Sequence, residues 1–426
     1  MSTHRFPTRL LLYVAGLSLV IGGVGCAGRR VAQKPDYYRK LPPGIMALEK
    51  ITDPKDYPDF AKGFYEKDGL VDAIDRSIDY LANHPSSQKY FPYLDITHER
   101  AVNSLLAFRK IVLETQNPED FKARIVSDFD VYRSVGADES HVVLFTAYCQ
   151  PILNGSLTKS GEYQYPLYSL PPDIVKDDEG RCLGRRDESG QLVPYYTRKQ
   201  IDGDGVLADK GLELVYLADP LDAYVAQVQG SALIRLLDGK LLEIGYAGKN
   251  EYPYTSVGLA LVEEGKLKEH ELSLQGIRNY FQAKPKELYP SLFRNESYVF
   301  FRPTSGGPFG CLNQRVTPHR TLATDKGIFP RACIAYVETR LPTMGIGRTV
   351  HNRPFNAFML DQDTGGAIRT PGRADIFMGT GPDAERLAGR TFAEGKLYYI
   401  FLKPNVTPPN RDTMPAAASR DTKPSG

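Results

Sequence analysis

The chain has 426 residues, which exceeds the usual single-core range of roughly 100 to 200 residues, so two domains are expected. Its 42% content of hydrophobic residues is typical of a globular protein. The 53 basic and 51 acidic side chains leave a net charge of +2, and this balance argues against a nucleic-acid-binding surface.

The N-terminus has the pattern of an export signal. Arg5 and Arg9 precede an apolar run over 10–24, and small residues lead to Cys26. The run of about 15 residues is shorter than the roughly 20 that a membrane-spanning helix needs, which favours a cleaved signal. Gly-Val-Gly-Cys resembles a lipoprotein cleavage box, although Gly23 stands where such boxes usually carry a larger apolar residue. We therefore predict lipidation of Cys26, with an uncleaved anchor or simple secretion as alternatives.

The segments at both ends of the main body lack a regular apolar period. Residues 27–59 are rich in proline, lysine and aspartate, which predicts an extended tether. Residues 405–426 are dominated by proline, asparagine, alanine, serine and charged residues, which predicts a disordered tail.

Helical patterns are few and most come early. Apolar residues recur at helical spacing over 70–81 and 102–113, and Asn117 before Pro118 predicts the start of a third helix. Two further helices are predicted over 255–264 and 273–282.

The remaining segments have the pattern of short strands separated by turns. The predicted strands cover 141–146, 224–228, 232–236, 241–246, 297–302, 332–338, 356–361 and 397–402. Asp238-Gly239 lies between two apolar runs and predicts a hairpin turn. Many short strands with glycine-rich connections favour β-barrels over a doubly wound α/β sheet.

Four cysteines follow the signal, namely Cys149, Cys182, Cys311 and Cys333. An exported protein permits disulfides, and three pairings are open. Cys149 has no histidine beside it in a familiar catalytic arrangement, so we interpret it as a structural thiol or disulfide partner. The seven histidines form no metal-ligand spacing, and neither a metal nor another cofactor is expected.

The segment 363–389 contains two acids twelve residues apart among glycines. Gly365 and Gly366 permit a sharp turn or close approach to a ligand, and apolar residues follow Asp375. Burial against apolar groups keeps a carboxyl group protonated, as a general acid requires. Asp363 would raise the pKa of Asp375 further if their two strands pair. A solvated hairpin rim is the alternative interpretation, whereas no phosphate-binding loop is present.

This segment resembles the C-terminal three-aspartate (3D) domain of the membrane-bound lytic murein transglycosylase A family. Asp325, Asp363 and Asp375 match the three aspartates, and the resemblance extends in order over about 260 residues. The other matching motifs are FTAYCQP (145–151), EYQYPLYSLPP (162–172), VQGSALIRLLDGK (228–240), YAGKN (246–250), SLQGIRNYF (273–281), YVFFRP (298–303) and ATDKGIFP (323–330).

The resemblance implies a mainly β protein with a few flanking helices. A discontinuous double-psi β-barrel would comprise 60–151 and 303–404, with the 3D domain at about 320–404. A smaller inserted β-barrel would cover 152–302, and a glycan strand would lie in the groove between the two. A monomer is expected.

The resemblance also implies the site residues. Asp375 would be the catalytic acid/base, with Asp363 close to it. Predicted substrate contacts are Thr146, Tyr148, Gln229, Gly230, Ser231, Lys249, Asn250, Asp325, Gly365 and Gly366. Those of the inserted barrel are predicted because the side chains of the QGS and AGKN turns suit hydrogen bonds to sugar hydroxyls and acetamido groups, with plain turn residues as the alternative interpretation. The chain departs from the family pattern over 147–151 and 369–372, without loss of an acid.

The implied function is an exolytic transglycosylase that takes part in cell wall turnover. It would cleave the β-1,4 bond between N-acetylmuramic acid and N-acetylglucosamine in peptidoglycan, with formation of a 1,6-anhydro ring. It would act from a lipid anchor on the periplasmic face of the outer membrane. A catalytically inactive peptidoglycan-binding protein and a hydrolytic glycosidase are the alternatives. An aspartic peptidase is disfavoured because the Asp-Thr-Gly at Asp363 has no second copy.

Overall fold

The computed structural model describes residues 35–178, 180–268 and 271–410. The predictions for the export signal, for Cys26 and for residues 411–426 of the tail lie outside the described residues.

The five predicted helices are confirmed. Each begins at a capping residue or where apolar residues start to recur at helical spacing. Asn117 accepts a hydrogen bond from the Asp120 N–H at the start of the third, and Ser273 accepts one from the Gly276 N–H. The α-helices are α1 (Leu70–Asn83), α2 (His98–Glu114), α3 (Pro118–Asp128), α4 (Pro220–Gln229), α5 (Val257–Glu263), α6 (Leu274–Ala283), α7 (Leu288–Leu292) and α8 (Pro382–Ala388).

The predicted strand over 224–228 is wrong, because these residues belong to α4. Asp219 caps this helix by accepting from the Leu221 N–H, and Pro220 occupies its first turn. Gly230 ends the helix with a φ of 76°, a left-handed conformation that glycine adopts without strain. These local signals outweigh the β-propensity of a short apolar run.

The other seven predicted strands are confirmed, with shifted ends. The strands are β1 (Leu48–Lys50), β2 (Phe129–Ser134), β3 (Val143–Gln150), β4 (Ile152–Ser156), β5 (Tyr165–Tyr168), β6 (Val175–Lys176), β7 (Cys182–Arg186), β8 (Leu192–Val193), β9 (Glu213–Leu217), β10 (Ser231–Leu236), β11 (Leu241–Lys249), β12 (Val299–Thr304), β13 (Thr321–Ala323), β14 (Ile334–Met344), β15 (Val350–Asp363), β16 (Arg373–Thr380) and β17 (Ala393–Leu402). The Asp238-Gly239 turn joins β10 to β11 as predicted, and Gly239 has a φ of 81°.

The first sheet closes into a six-stranded barrel. Its strands run in the order β17-β14-β15-β13-β16-β3, and β3 pairs back with β17. β2 and β1 continue the sheet outward from β17. The barrel and the three early helices share one aromatic core, in which the Phe358 ring of β15 lies 4.6 Å from Phe108 and 5.7 Å from Phe121.

The second sheet has the order β12-β11-β10-β4-β9-β5 and an apolar core of its own. A bridge between Ser169 and Phe301 connects its two edges. The chain leaves the barrel after β3, builds this sheet from β4 to β12, and returns to the barrel at β13. The mainly β fold with an interrupted barrel is therefore confirmed, while the domain boundaries stay a prediction.

The predicted tether over 27–59 is wrong for part of its described residues. Leu48–Lys50 pairs antiparallel with β2, and Ala47, Leu48 and Ile51 are buried in the barrel core. Tyr37 is also buried, and its carbonyl accepts a hydrogen bond of 2.5 Å from the Thr370 hydroxyl. The burial of these apolar side chains holds the segment against the barrel.

Candidate active site

β16 supplies a polar face and a buried face by strand alternation. Ala374 and Ile376 are fully buried in the barrel core. Arg373, Asp375 and Phe377 project to the opposite face, because successive side chains of a strand alternate.

β3 runs parallel to β16 and contributes the adjoining polar row. Thr146 is in register with Asp375, and Tyr148 is in register with Phe377. The Thr146 hydroxyl donates a hydrogen bond to Oδ1 of Asp375. The Tyr148 ring packs against Phe377 with 5.2 Å between the ring centroids.

The strands that carry the two acids do not pair directly, yet the charge of Asp363 raises the pKa of Asp375. β13 lies between them, parallel to β15 and antiparallel to β16. Ala323 is in register with Asp363 on one side and with Asp375 on the other. The two carboxyl groups therefore meet across one three-residue strand.

Side-chain hydrogen bonds reinforce this short strand. The Thr321 hydroxyl donates to Oε1 of Gln362 at 2.9 Å, and the Thr324 hydroxyl donates to Asp361 at 2.8 Å. Thr364 closes the far end by donating to the Thr324 carbonyl at 2.9 Å. These buried bonds fix β15 against β13 although few backbone bonds are available.

Asp363 accepts three hydrogen bonds. The Tyr148 hydroxyl donates to Oδ2 at 2.6 Å, while the backbone N–H groups of Cys311 and Thr364 donate to Oδ1 at 2.9 and 2.8 Å. Burial raises the pKa of Asp363, and these three bonds lower it in part by favouring the charged form. The side chain is thereby fixed in one orientation.

Asp375 accepts fewer hydrogen bonds than Asp363. Burial raises its pKa to about 6, the positive charge of Arg373 lowers it, and the charge of Asp363 raises it. A carboxyl group with a pKa of about 6 is protonated often enough near neutral pH to serve as a general acid.

The two glycines after Asp363 form the open side of the site. A Cβ atom built on Gly365 would lie 3.9 Å from Oδ2 of Asp375. A Cβ atom built on Gly366 would lie 3.2 Å from Cβ of Tyr254, which belongs to the inserted region. Tyr254 of the inserted region therefore packs beside Gly366, three positions after Asp363.

Comparison with known proteins agrees with this geometry. A family model described as the MltA specific insert domain matches residues 144–302, and one described as the 3D domain matches residues 320–401. Membrane-bound lytic murein transglycosylase A of Escherichia coli K12 is 31% identical over 285 residues, which cover 65% of this chain and 70% of that protein.

The chain belongs to the membrane-bound lytic murein transglycosylase A family. A Vibrio cholerae relative of the same name is 26% identical over 408 residues, 94% of this chain and 96% of that protein.

Solved structures of the family share the fold. A membrane-bound lytic murein transglycosylase from Agrobacterium tumefaciens superposes with a TM-score of 0.69 at 27% identity, covering 84% of this chain and 98% of that one. Escherichia coli MltA with bound chitohexaose gives a TM-score of 0.62 at 26% identity, covering 87% and 98%.

The predicted sugar contacts in the inserted region have different structural roles. Gln229 accepts a hydrogen bond of 2.9 Å from the Cys149 N–H, which ties α4 to β3. Gly230 ends α4, and Ser231 begins β10 in a buried position. Lys249 forms an ion pair of 3.0 Å with Glu251.

Asn250 is held by the backbone. Its Nδ2 donates to the carbonyls of Tyr196 and Glu296, both at 2.9 Å, and its Oδ1 accepts from the Tyr298 N–H at 2.8 Å. These bonds give the buried amide a structural role, and a sugar contact stays a prediction.

Asp325 follows β13 and stabilises its own turn. Its Oδ1 accepts a hydrogen bond of 3.0 Å from the Gly327 N–H, and its carbonyl accepts from Ile328 and Phe329. Within the described ranges, no hydrogen bond joins Asp325 to Asp363 or Asp375.

The four cysteines of the described ranges are free thiols, so no disulfide pairing occurs among them. Burial raises the pKa of Cys149 to about 12, which keeps it a neutral thiol. In the part of the chain that the structure describes, no cluster of three or more His, Cys, Asp or Glu side chains suits a metal ion.

Two residues at the site were missed by sequence reasoning. Arg373 lies two positions before Asp375, and strand alternation alone would have placed it on the same face. Tyr254 lies in an irregular segment with no pattern of its own, and only the fold brings it to Gly366.

Proposed function

We propose that this chain cleaves peptidoglycan glycan strands as a lytic transglycosylase, with Asp375 as the single acid/base. The cut bond is the β-1,4 bond between N-acetylmuramic acid and N-acetylglucosamine. Family membership supports the reaction class, and the partly buried Asp375 with its pKa of about 6 supports the assignment of the acid.

In this reaction, one carboxyl group first donates a proton and later accepts one. Protonated Asp375 donates to the glycosidic oxygen as the bond from C1 of N-acetylmuramic acid breaks, which releases the 4-hydroxyl of N-acetylglucosamine. The C6 hydroxyl of the same muramic acid then bonds to C1, and its proton returns to the Asp375 carboxylate. No water is consumed, so a second carboxyl group for water activation is unnecessary.

Positive charge that develops on the sugar ring needs a fixed negative partner. Asp363 suits this role because its three hydrogen-bond donors hold the carboxylate in place. Both acids face the same side of the barrel wall across β13.

The glycan would lie where the barrel wall meets the inserted region. Tyr254 comes from the inserted region, and an open concavity on the inserted sheet is lined by Tyr246 and Arg302. Gly365 and Gly366 place no side chain at this junction.

Digestion of purified sacculi, followed by mass spectrometry of the products, tests the reaction. The expected muropeptides carry a 1,6-anhydro end and are lighter than hydrolytic products by one water. Reducing-end products from the wild-type enzyme would identify a hydrolase. If no muropeptides are released, the chain binds peptidoglycan without cleaving it.

We propose a lipid anchor at Cys26 that places the enzyme on the periplasmic face of the outer membrane. The relatives are named membrane-bound, which supports an anchor. In the part of the chain that the structure describes, which begins at residue 35, no helix is long and apolar enough to cross a membrane. Cys26→Ala should move the protein out of the detergent-extracted membrane fraction and abolish labelling by a radioactive fatty acid. Equal membrane retention without label would contradict lipidation.

We further propose a monomer with domain boundaries at 60–151 plus 303–404 for the barrel and 152–302 for the insert. Strands on both sides of the insert share one closed barrel, which supports these boundaries. A fragment of residues 303–404 should therefore remain unfolded by circular dichroism, whereas independent folding would contradict the interrupted domain.

A further inference from the structure

Arg373 is a buried cation beside the acid, and it contacts two hydroxyl groups. Only 5% of the residue is exposed. Its Nη2 donates to Oγ1 of Thr146 at 2.9 Å, and its Nη1 donates to the Tyr38 hydroxyl at 2.7 Å. Its Nε is buried and has no hydrogen-bond partner among the described residues.

The contact with Arg373 fixes the direction of the Thr146 hydroxyl. A guanidinium group only donates hydrogen bonds and stays charged, so the Thr146 oxygen must accept from it. The single hydroxyl proton of Thr146 is then directed at Oδ1 of Asp375. Without the arginine, the hydroxyl could turn and accept a proton from Asp375 instead.

We propose that Arg373 is a positioning residue that acts through Thr146, so that the catalytic proton of Asp375 resides on Oδ2. This inference rests on the proposed function, because it assigns the atom from which the proposed acid donates. Oδ1 is occupied as an acceptor of the Thr146 bond, which leaves Oδ2 as the oxygen that binds and releases the proton.

The surroundings of Oδ2 fit this assignment. Among the described residues, no donor lies within hydrogen-bond distance of Oδ2. Gly365 lies beside Oδ2, because a Cβ atom built on it would be 3.9 Å from that oxygen. Glycine at this position leaves no side chain there, and this is where the inference places the glycosidic oxygen.

The charged and titratable groups around Asp375 lie on three strands and in the loop before α5. Arg373 lies on β16, Tyr148 on β3 and Asp363 on β15, while Tyr254 precedes α5. Tyr38 adjoins Arg373 rather than Asp375. Arg373 is the one cation in this set, so its loss raises the pKa of Asp375.

Four variants of the full chain test whether Arg373 acts through Thr146. They are Thr146→Val, Thr146→Ser, Arg373→Met and the double variant Thr146→Val/Arg373→Met. Thr146→Val keeps the shape of threonine without the hydroxyl. It therefore still tests the inference if Arg373→Met destabilises the fold. Thermal unfolding and chitohexaose binding report folding and groove integrity, and kcat for anhydromuropeptide release reports catalysis.

We expect Thr146→Val to lower kcat by about tenfold to a hundredfold with little change in chitohexaose binding, because a charge-assisted hydrogen bond is lost. Thr146→Ser should recover kcat to within about threefold, since the hydroxyl returns. The double variant should be no slower than the slower single variant, because Arg373 acts through Thr146.

The pH profile gives the second readout. Arg373→Met should move the falling limb of kcat/KM to higher pH, since the lost cation had favoured the charged form of Asp375. Compared at low pH, where Asp375 is protonated in every variant, near-normal kcat in Thr146→Val or multiplicative losses in the double variant would each overturn the inference. An unmoved limb would overturn the placement of the Arg373 charge beside Asp375, on which the inference depends. If the wild type releases only hydrolytic products, the proposed function falls as well.

Discussion

Asp363 and Asp375 lie opposite each other across β13, but their surroundings differ. Asp363 accepts three hydrogen bonds, two of them from backbone N–H groups, whereas Asp375 accepts one from a side chain that is itself held by Arg373. The three donors favour the charged form of Asp363 and offset part of the rise in pKa that burial causes. A carboxyl group with one free oxygen is suited to exchange a proton.

This contrast shows how one barrel wall separates two roles for the same residue type. The strand register brings the acids together, and the hydrogen-bond donors around each acid decide what it does. The donors to Asp363 come from Tyr148, Cys311 and Thr364, while Asp375 accepts from Thr146 alone among the described residues.

The largest effect is expected from Asp375→Asn, which removes the exchangeable proton and keeps the side-chain shape. Anhydromuropeptide release should fall by about 10²- to 10⁴-fold, the usual contribution of general acid/base catalysis. Binding to purified sacculi should persist. Asp383→Asn, an exposed aspartate of α8, is the matched control and should behave as wild type. Near-normal turnover by Asp375→Asn would move the acid elsewhere.

A smaller loss is expected from Asp363→Asn. The amide cannot supply the negative charge for the sugar ring, and the charge that raises the pKa of Asp375 is also lost. We expect kcat to fall by about ten- to a hundredfold. The falling limb of kcat/KM should move to lower pH. A loss as large as that of Asp375→Asn would show that both groups transfer protons.

The smallest effect is expected from Tyr148→Phe, which keeps the ring contact with Phe377 and removes one donor to Asp363. The pKa of Asp363 should rise, because the lost bond had favoured its charged form. We expect kcat to fall by a few-fold, about the effect of one hydrogen bond that acts indirectly. A loss equal to that of Asp363→Asn would place the Tyr148 hydroxyl on the substrate.

The pH dependence follows from the raised pKa of Asp375. The acid is active when protonated, so wild-type kcat/KM should decline as pH rises through about 6. An activity that rises through this range would contradict the assignment of Asp375 as the initial proton donor.

Part of this arrangement was predictable from the sequence because it depends on local signals. Caps such as Asn117 gave the helix starts, and the two acids stood out among glycines. The helix over α4 was missed although Asp219 and Pro220 mark its start, because its apolar residues also suit a strand.

The parts that sequence reasoning missed depend on distant contacts. β13 has only three residues, too few for a periodic pattern, yet it decides that the acid-bearing strands are not neighbours. The Arg373 contact with Tyr38 joins residues 335 positions apart. Such contacts follow from the closed barrel and leave no mark in a local window.

The pairing of β3 with β16 also has a consequence for the order of folding. Thr146 and Asp375 are 229 positions apart, and the whole inserted region lies between them. Contacts of such separation close late, because the loop entropy must be overcome before the contact stabilises anything. A partly synthesised or partly folded chain therefore has no assembled acid, and the enzyme acquires its activity only when the barrel closes.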